Sequence, residues 1–231
     1  MDSEEQIKKL LEKFISRAAE IIDDLSSEKM ITESAINPIL AKALGFADFS
    51  SLARFYVYQR ISRSLVTSFG THMENLVKII VDGEKGEWWD VVKKTPDVNY
   101  YISVKSGPRD MNKDQTVEFS RRAKKIMEKD PKALPFIAMG YGKEAWPVIT
   151  DTLKNQGLDP KKHSYVGKGL YALLSGDKNF YKKILDFVVN VESEVIGKKT
   201  ILQLMDDKVN EITKGFNKKY KDINELLLDT F

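Results

Sequence analysis

The 231 residues carry 37 Lys and Arg against 34 Asp and Glu, a formal charge of +3, so the mild basic bias is far from a histone-like balance. With no cysteine the chain has neither disulfides nor a thiolate zinc site, and His72 and His163 lie too far apart to suggest a histidine-based metal site. No N-terminal apolar h-region and no 18-residue apolar run is present, so neither secretion nor a membrane span is expected, and a reducing, cytoplasmic setting suits the composition.

The first stretch, Ser3 to Leu25, reads as an amphipathic helix. Ser3 and Gln6 have capping-box spacing, and Ile7, Leu10, Leu11, Phe14, Ala18, Ile21, Ile22 and Leu25 keep the helical period. A second helix is expected from about Thr32 to Leu44, with a break or restart at Asn37-Pro38 and a stop at Gly45. Asp48 then caps a long helical stretch that Gly70 interrupts, its later part placing Met73, Leu76, Val77 and Ile80 on the buried side. Glu74 stands one turn before Lys78 and reads either as half of a surface pair or as a site carboxylate. Upstream, Arg54, Arg60 and Arg63 alternate with Phe55, Tyr56 and Tyr58, a pattern that suits a phosphate backbone and helix packing equally.

Next come two strand-like runs, EWWDVVKK and YYISVKSG, around the turn-rich TPDVN, which predicts a β-hairpin. Side chains alternate along a strand, so Ser103 and Lys105 share a face, and Asp90 on the facing run can share it too. After Ser106-Gly107-Pro108 a helix is expected from about Lys113 to Lys129, with Val117, Ala123, Ile126 and Met127 toward the core. Gln115 and Glu118 sit near one another at its start, and Arg121, Arg122, Lys124 and Lys125 form a solvated or phosphate-contacting face. Arg109, Asn112 and Lys113 occupy the loop after the strand, where DNA contacts would be natural.

LPFIAMGYG, residues 134–142, reads as a buried strand ended by glycines. Its Gly140-Tyr141-Gly142-Lys143 lacks Walker spacing and fits a strand-to-helix turn better than a phosphate loop. A helix over 146–156, a loop over 157–162, a short strand or turn, a helix to Gly176-Asp177, a longer helix and a mostly helical 200–231 complete the chain. Without an internal repeat or a clear linker, one domain over 1–231 is the economical reading. It comprises a mainly helical 1–66, a core over 67–195 and C-terminal helices over 196–231.

A carboxylate beside a lysine at the rim of an apolar hairpin suits metal-dependent phosphodiester hydrolysis. A hard cation such as Mg²⁺ needs one or two carboxylates and keeps several waters. The lysine can position the attacking water or neutralise developing charge. Asp90, the strand ISVKSGP, the following MNKDQ and the upstream helix FGTHMENLVKII together resemble the PD-(D/E)XK nuclease superfamily and, within it, the type II restriction endonucleases. The local resemblance spans roughly Thr67 to Val117. It implies an α/β fold with a small mixed central sheet flanked by helices. It also implies sequence-specific, Mg²⁺-dependent cleavage of double-stranded DNA by a two-fold homodimer.

The resemblance further implies roles for individual residues. Asp90 would be a metal ligand, joined by Glu74 or Glu118 and by the carbonyl of Val104, with Lys105 activating water and Gln115 holding it or positioning the lysine. One departure stands out: Ser103 occupies the acidic position two before the lysine. Some enzymes of the superfamily with Ser-X-Lys recruit a glutamate from the next helix, and twelve residues, 106 to 117, separate Lys105 from Glu118. Arg109, Asn112, Lys113, Arg60 and Arg63 become candidate DNA contacts. Two alternatives stay open: a repair or junction-resolving nuclease of the same superfamily, and a non-catalytic DNA- or protein-binding module that lost its acid at Ser103.

Overall fold

The structure is a computed structural model and describes residues 3–33, 35–197 and 199–231. Chain contacts divide it into two compact units, Met1–Leu10 with Ser68–Val188, and Leu11–Thr67 with Val189–Phe231. The first takes in most of the segment expected as the core.

The second unit is helical. It draws on α1 (Ser3–Asp23), α2 (Ser27–Thr32), α3 (Pro38–Ala43), the long α4 (Phe49–Val81), α9 (Phe180–Ile196), α10 (Ile201–Lys219) and α11 (Ile223–Leu228), of which α1, α4 and α9 also contribute to the first unit. Its core gathers Ile22, Leu25, Met30, Leu52, Tyr56, Val57, Ile61, Val209, Ile212, Phe216 and Leu226. Of the helix expected over 32–44 only α3 forms, starting at the Asn37-Pro38 restart with Asn37 as its cap and Pro38 at its first position; α2, capped by Ser26, ends at Thr32, and Ser34 lies outside the described residues. Asp48 caps α4 through a 2.8 Å bond from Ser51 N. Gly70 does not interrupt α4, which runs unbroken as helix to Val81.

The first unit is built on one sheet, β1 (Val91–Lys94), β2 (Asn99–Lys105), β3 (Ala133–Met139) and β4 (Ser164–Val166), in that spatial order. β1 and β2 are antiparallel, with Val91 opposite Ile102, while β2–β3 and β3–β4 are parallel. Parallel neighbours need a long connection. That connection is α5 (Lys113–Lys129) between β2 and β3, and α6 (Pro147–Asn155) with the single-turn α7 (Pro160–His163) between β3 and β4. The expected loop over 157–162 therefore closes as a helical turn, capped by Asp159. α8 (Gly167–Ser175) packs on β3 and β4 and ends at Gly176, whose φ of 73° suits a glycine cap.

β3 is buried along Pro135–Met139, as a central strand covered on both faces should be. Ile137 and Met139 pack with Tyr101, Trp89, Phe119, Ala123, Ile149 and Leu153 into one core. Of the α5 positions expected toward the core, Ala123 is buried and Ile126 and Met127 pack partly buried against the same core, while Val117 is half-exposed and Thr116, Phe119 and Ser120 join the buried side. Two hydroxyls hide in this stripe because each returns its hydrogen bond to the helix, Thr116 to Asn112 O (2.8 Å) and Ser120 to Thr116 O (2.7 Å).

Candidate active site

Strand β1 begins at Val91, shorter than the run EWWDVVKK, because the chain before it turns at Gly86, whose N–H bonds Trp89 O at 3.1 Å. Asp90 thus lies just ahead of the strand but stays on its ladder, donating its N–H to Ile102 O at 3.0 Å. Extending the Val91–Ile102 register by one places Asp90 opposite Ser103, on the same face. The carboxylate then closes back on β2. Its Oδ2 accepts from Val104 N (2.7 Å) and, at 3.4 Å, from Ser103 Oγ. A charge-assisted bond of that length holds the side chain in one orientation.

Two adjacent tryptophans take opposite roles. Trp89 is buried, its ring 5.7 Å from Tyr101 and edge-on to Phe119 at 5.8 Å. Trp88 is 62% exposed and carries Arg122 over its ring at 5.4 Å. The buried ring anchors the segment to the core, so the exposed one projects at the rim.

Ser103, Lys105, Gln115, Glu118, Trp88 and Arg122 line a common cleft of about 150 Å³ between β2 and the start of α5. Lys105 Nζ donates to Val104 O at 3.1 Å, so the ammonium sits beside the one main-chain oxygen expected to serve a cation. Glu74, half-buried on α4, has its carboxyl pushed above the ordinary range by burial and then by the charge of Asp90, with Lys105 and Lys85 opposing. A half-buried Glu74 carboxyl whose ionisation the Asp90 charge opposes forms with it a site in which a cation is electrostatically favoured.

Glu118 is engaged differently. Arg121 donates to it twice, at 2.9 and 2.8 Å, and Arg122 once at 2.7 Å. These bonds hold its carboxyl far below the usual range, at about 2. Gln115 also faces the cleft, but its Oε1 accepts from Asn112 N (3.0 Å) while Asn112 Oδ1 accepts from Gln115 N (2.9 Å), a reciprocal cap that starts α5. The side-chain oxygen expected to serve water or lysine is thus committed to the helix end, and only its amide NH₂ is left for the cleft.

The candidate DNA contacts separate. Arg109, Asn112 and Lys113 lie exposed between β2 and α5, next to the cleft, with Asn112 already used as the helix cap. Arg60 and Arg63 belong to the helical unit, where Arg60 pairs with Glu33 at 3.2 Å. Of the face expected to be solvated or phosphate-contacting, Arg121, Arg122 and Lys125 line, with Trp88 and Lys129, a groove of about 290 Å³. Lys124 is not among its lining residues, and Trp88 and Lys129 were not assignable to it from the sequence.

The glycines of Gly140-Tyr141-Gly142 serve packing. A Cβ at Gly140 would run into Met73 Cε, and Gly142 has a φ of 113°. Gly140 N donates to Lys105 O at 3.1 Å, tying this turn to the end of β2.

The donor set suits a hard cation. Asp90, Glu74 and the Val104 carbonyl offer only oxygen, and among the described residues no group of three or more His, Cys, Asp or Glu forms a closed metal cage. Magnesium, which uses few protein ligands and keeps its waters, fits that arrangement. No helix among the described residues is long and apolar enough to cross a membrane.

No curated protein matches the chain. The family described as type II restriction endonuclease EcoO109I matches residues 1–194. With an α/β fold on a small mixed sheet, Asp90 clamped to the strand that bears Lys105 and a family match over most of its length, this chain belongs to the type II restriction endonuclease EcoO109I family.

Proposed function

We propose that the protein is a Mg²⁺-dependent endonuclease that cuts both strands of duplex DNA at a specific sequence, acting in the cytoplasm as a two-fold homodimer. The observation that carries the chemistry is the Asp90 carboxylate clamped by Val104 N–H at 2.7 Å on the strand that also delivers Lys105 to the cleft. Family membership supports DNA as the substrate, and palindromic sites match two-fold protein symmetry.

In this reading Asp90, Glu74 and Val104 O would hold the cation, which would supply activation of water and charge neutralisation at the scissile phosphate. Lys105 gives up its contact with Val104 O and orients the attacking water through its N–H donors. The water oxygen bonds to phosphorus, the bond from phosphorus to the departing sugar oxygen breaks, and the proton lost by water is balanced by one gained at that oxygen. Ser103 has no charge to offer, and its hydroxyl steadies Asp90 instead.

The test is digestion of unmethylated phage-length duplex DNA with Mg²⁺ and with EDTA, for the native protein and Asp90→Ala. Discrete bands that need the metal and vanish in the variant are expected. A smear would indicate a repair-type or nonspecific nuclease. Intact DNA with a clear gel shift would indicate a binding module without catalysis, and full cleavage by Asp90→Ala would remove Asp90 from the site.

A further inference from the structure

The cleft that holds Lys105 and the groove along α5 share Trp88 and Arg122. Glu118 stands between them, lining the first while bonded to Arg121 and Arg122, which line the second. An arginine fork matches a carboxylate and a phosphate with the same geometry, so one can replace the other. Arg122 is further fixed by its place over Trp88 and by a 3.3 Å bond to Trp88 O, so it is aimed along the groove. Arg121 is two-thirds exposed and open to such an exchange.

Resting on the nuclease reading above, we propose that the Trp88–α5 groove binds a DNA phosphate that displaces Glu118 from Arg121 and Arg122, delivering its carboxylate to the metal site only in the DNA-bound enzyme. Lys125 and Lys129, one and two turns beyond Arg121 and Arg122, continue the track for the neighbouring phosphates. The acid missing at Ser103 is then supplied from α5, and the protein carries its full set of carboxylates only when its substrate is seated. Without DNA, the two arginines keep Glu118 neutralised. Arg121 and Arg122 act as positioning residues for Glu118 as well as phosphate contacts.

The test measures Ca²⁺ binding by calorimetry for the native protein and Glu118→Gln, first alone and then on a duplex carrying a mapped cleavage site. Glu118→Gln should leave the affinity of the free protein unchanged and weaken that of the DNA complex about tenfold or more. An equal loss in both states would show that Glu118 is never withheld, and no loss in either would show that it is not a ligand; each overturns the proposal. A second variant, Arg121→Gln/Arg122→Gln, should raise the Ca²⁺ affinity of the free protein several-fold. It should also flatten the salt dependence of duplex binding by about two in log–log slope. Unchanged Ca²⁺ affinity in the free variant, or an unchanged salt slope, would overturn it too. A native protein that cuts no DNA at all would sink the nuclease reading itself, whereas a cutting enzyme with any of these patterns loses only the exchange.

Discussion

Asp90 and Val104 are joined by a 2.7 Å hydrogen bond from a main-chain N–H to a carboxylate, and this contact fastens the turn before β1 to the strand bearing Lys105. This structural duty can be separated from the chemical one proposed above for the same side chain. Asp90→Asn keeps a carbonyl acceptor for Val104 N–H and should unfold in urea near the native midpoint. Asp90→Ala strands that donor and should lose about 1–3 kcal/mol. Both should lose cleavage by more than about 100-fold, since even outer partners of a metal ligand cost 10–100-fold. Equal stability of the two variants would show that the Val104 contact contributes nothing.

The tryptophan pair predicts a second separation. Trp89→Ala empties a site between Tyr101 and Phe119 and should destabilise by about 3–5 kcal/mol. Trp88→Ala removes an exposed ring and should change stability by less than about 0.5 kcal/mol while weakening duplex binding, because Arg122 loses its support. Urea unfolding and a gel-shift titration on each variant decide the matter. A large stability loss in Trp88→Ala would show that the ring belongs to the core.

Lys105 should separate binding from chemistry. Lys105→Met keeps the length of the side chain and removes the ammonium beside Val104 O. Single-turnover cleavage should fall by about 100-fold or more, the scale of losing one aligned electrostatic donor. Duplex affinity should stay within a few-fold, because phosphate contacts elsewhere dominate it. A parallel fall in affinity and rate would make Lys105 a DNA contact instead.

The bounds of α5 were legible because Asn112 and Gln115 form a capping pair and Asp130-Pro131 cannot continue the helix. The shared face of Asp90, Ser103 and Lys105 was legible because strand alternation is a local rule. What the pattern could not supply is which of several possible partners a side chain meets. Whether Trp88 or Trp89 enters the core is decided by Tyr101 and Phe119, and whether Glu118 faces lysine or arginine by the neighbouring turn of its own helix. Gln115 shows a third limit: its spacing suits both a cap and a catalytic helper, and the main chain of Asn112 takes the oxygen. The buried stripe of α5 was legible at Ala123, Ile126 and Met127 but not at Thr116 and Ser120, which read as polar until their hydroxyls bond back to the helix.

Glu74 gives the chain a pH signature. Burial and the nearby Asp90 charge raise its carboxyl in the folded protein above the unfolded value. Between those two values the folded state holds a proton that the unfolded state has released, so stability must fall as pH rises through that window. Asp130 has the opposite sign. Asn99 Nδ2 (2.8 Å), Lys132 N (3.0 Å) and Tyr101 OH (3.0 Å) all donate to it and hold its carboxyl below the usual range. Its contribution is present above the unfolded value and disappears as pH falls through the folded one. Metal-free unfolding free energies from pH 3 to 8 should therefore lose a falling component in Glu74→Gln, making that variant the more stable near neutrality, and a rising acid-side component in Asp130→Asn. Mg²⁺ should reverse the first comparison, because only the native Glu74 gains a cation to face. If Glu74→Gln were no more stable than the native protein at neutral pH without metal, Glu74 would not share a charged site with Asp90.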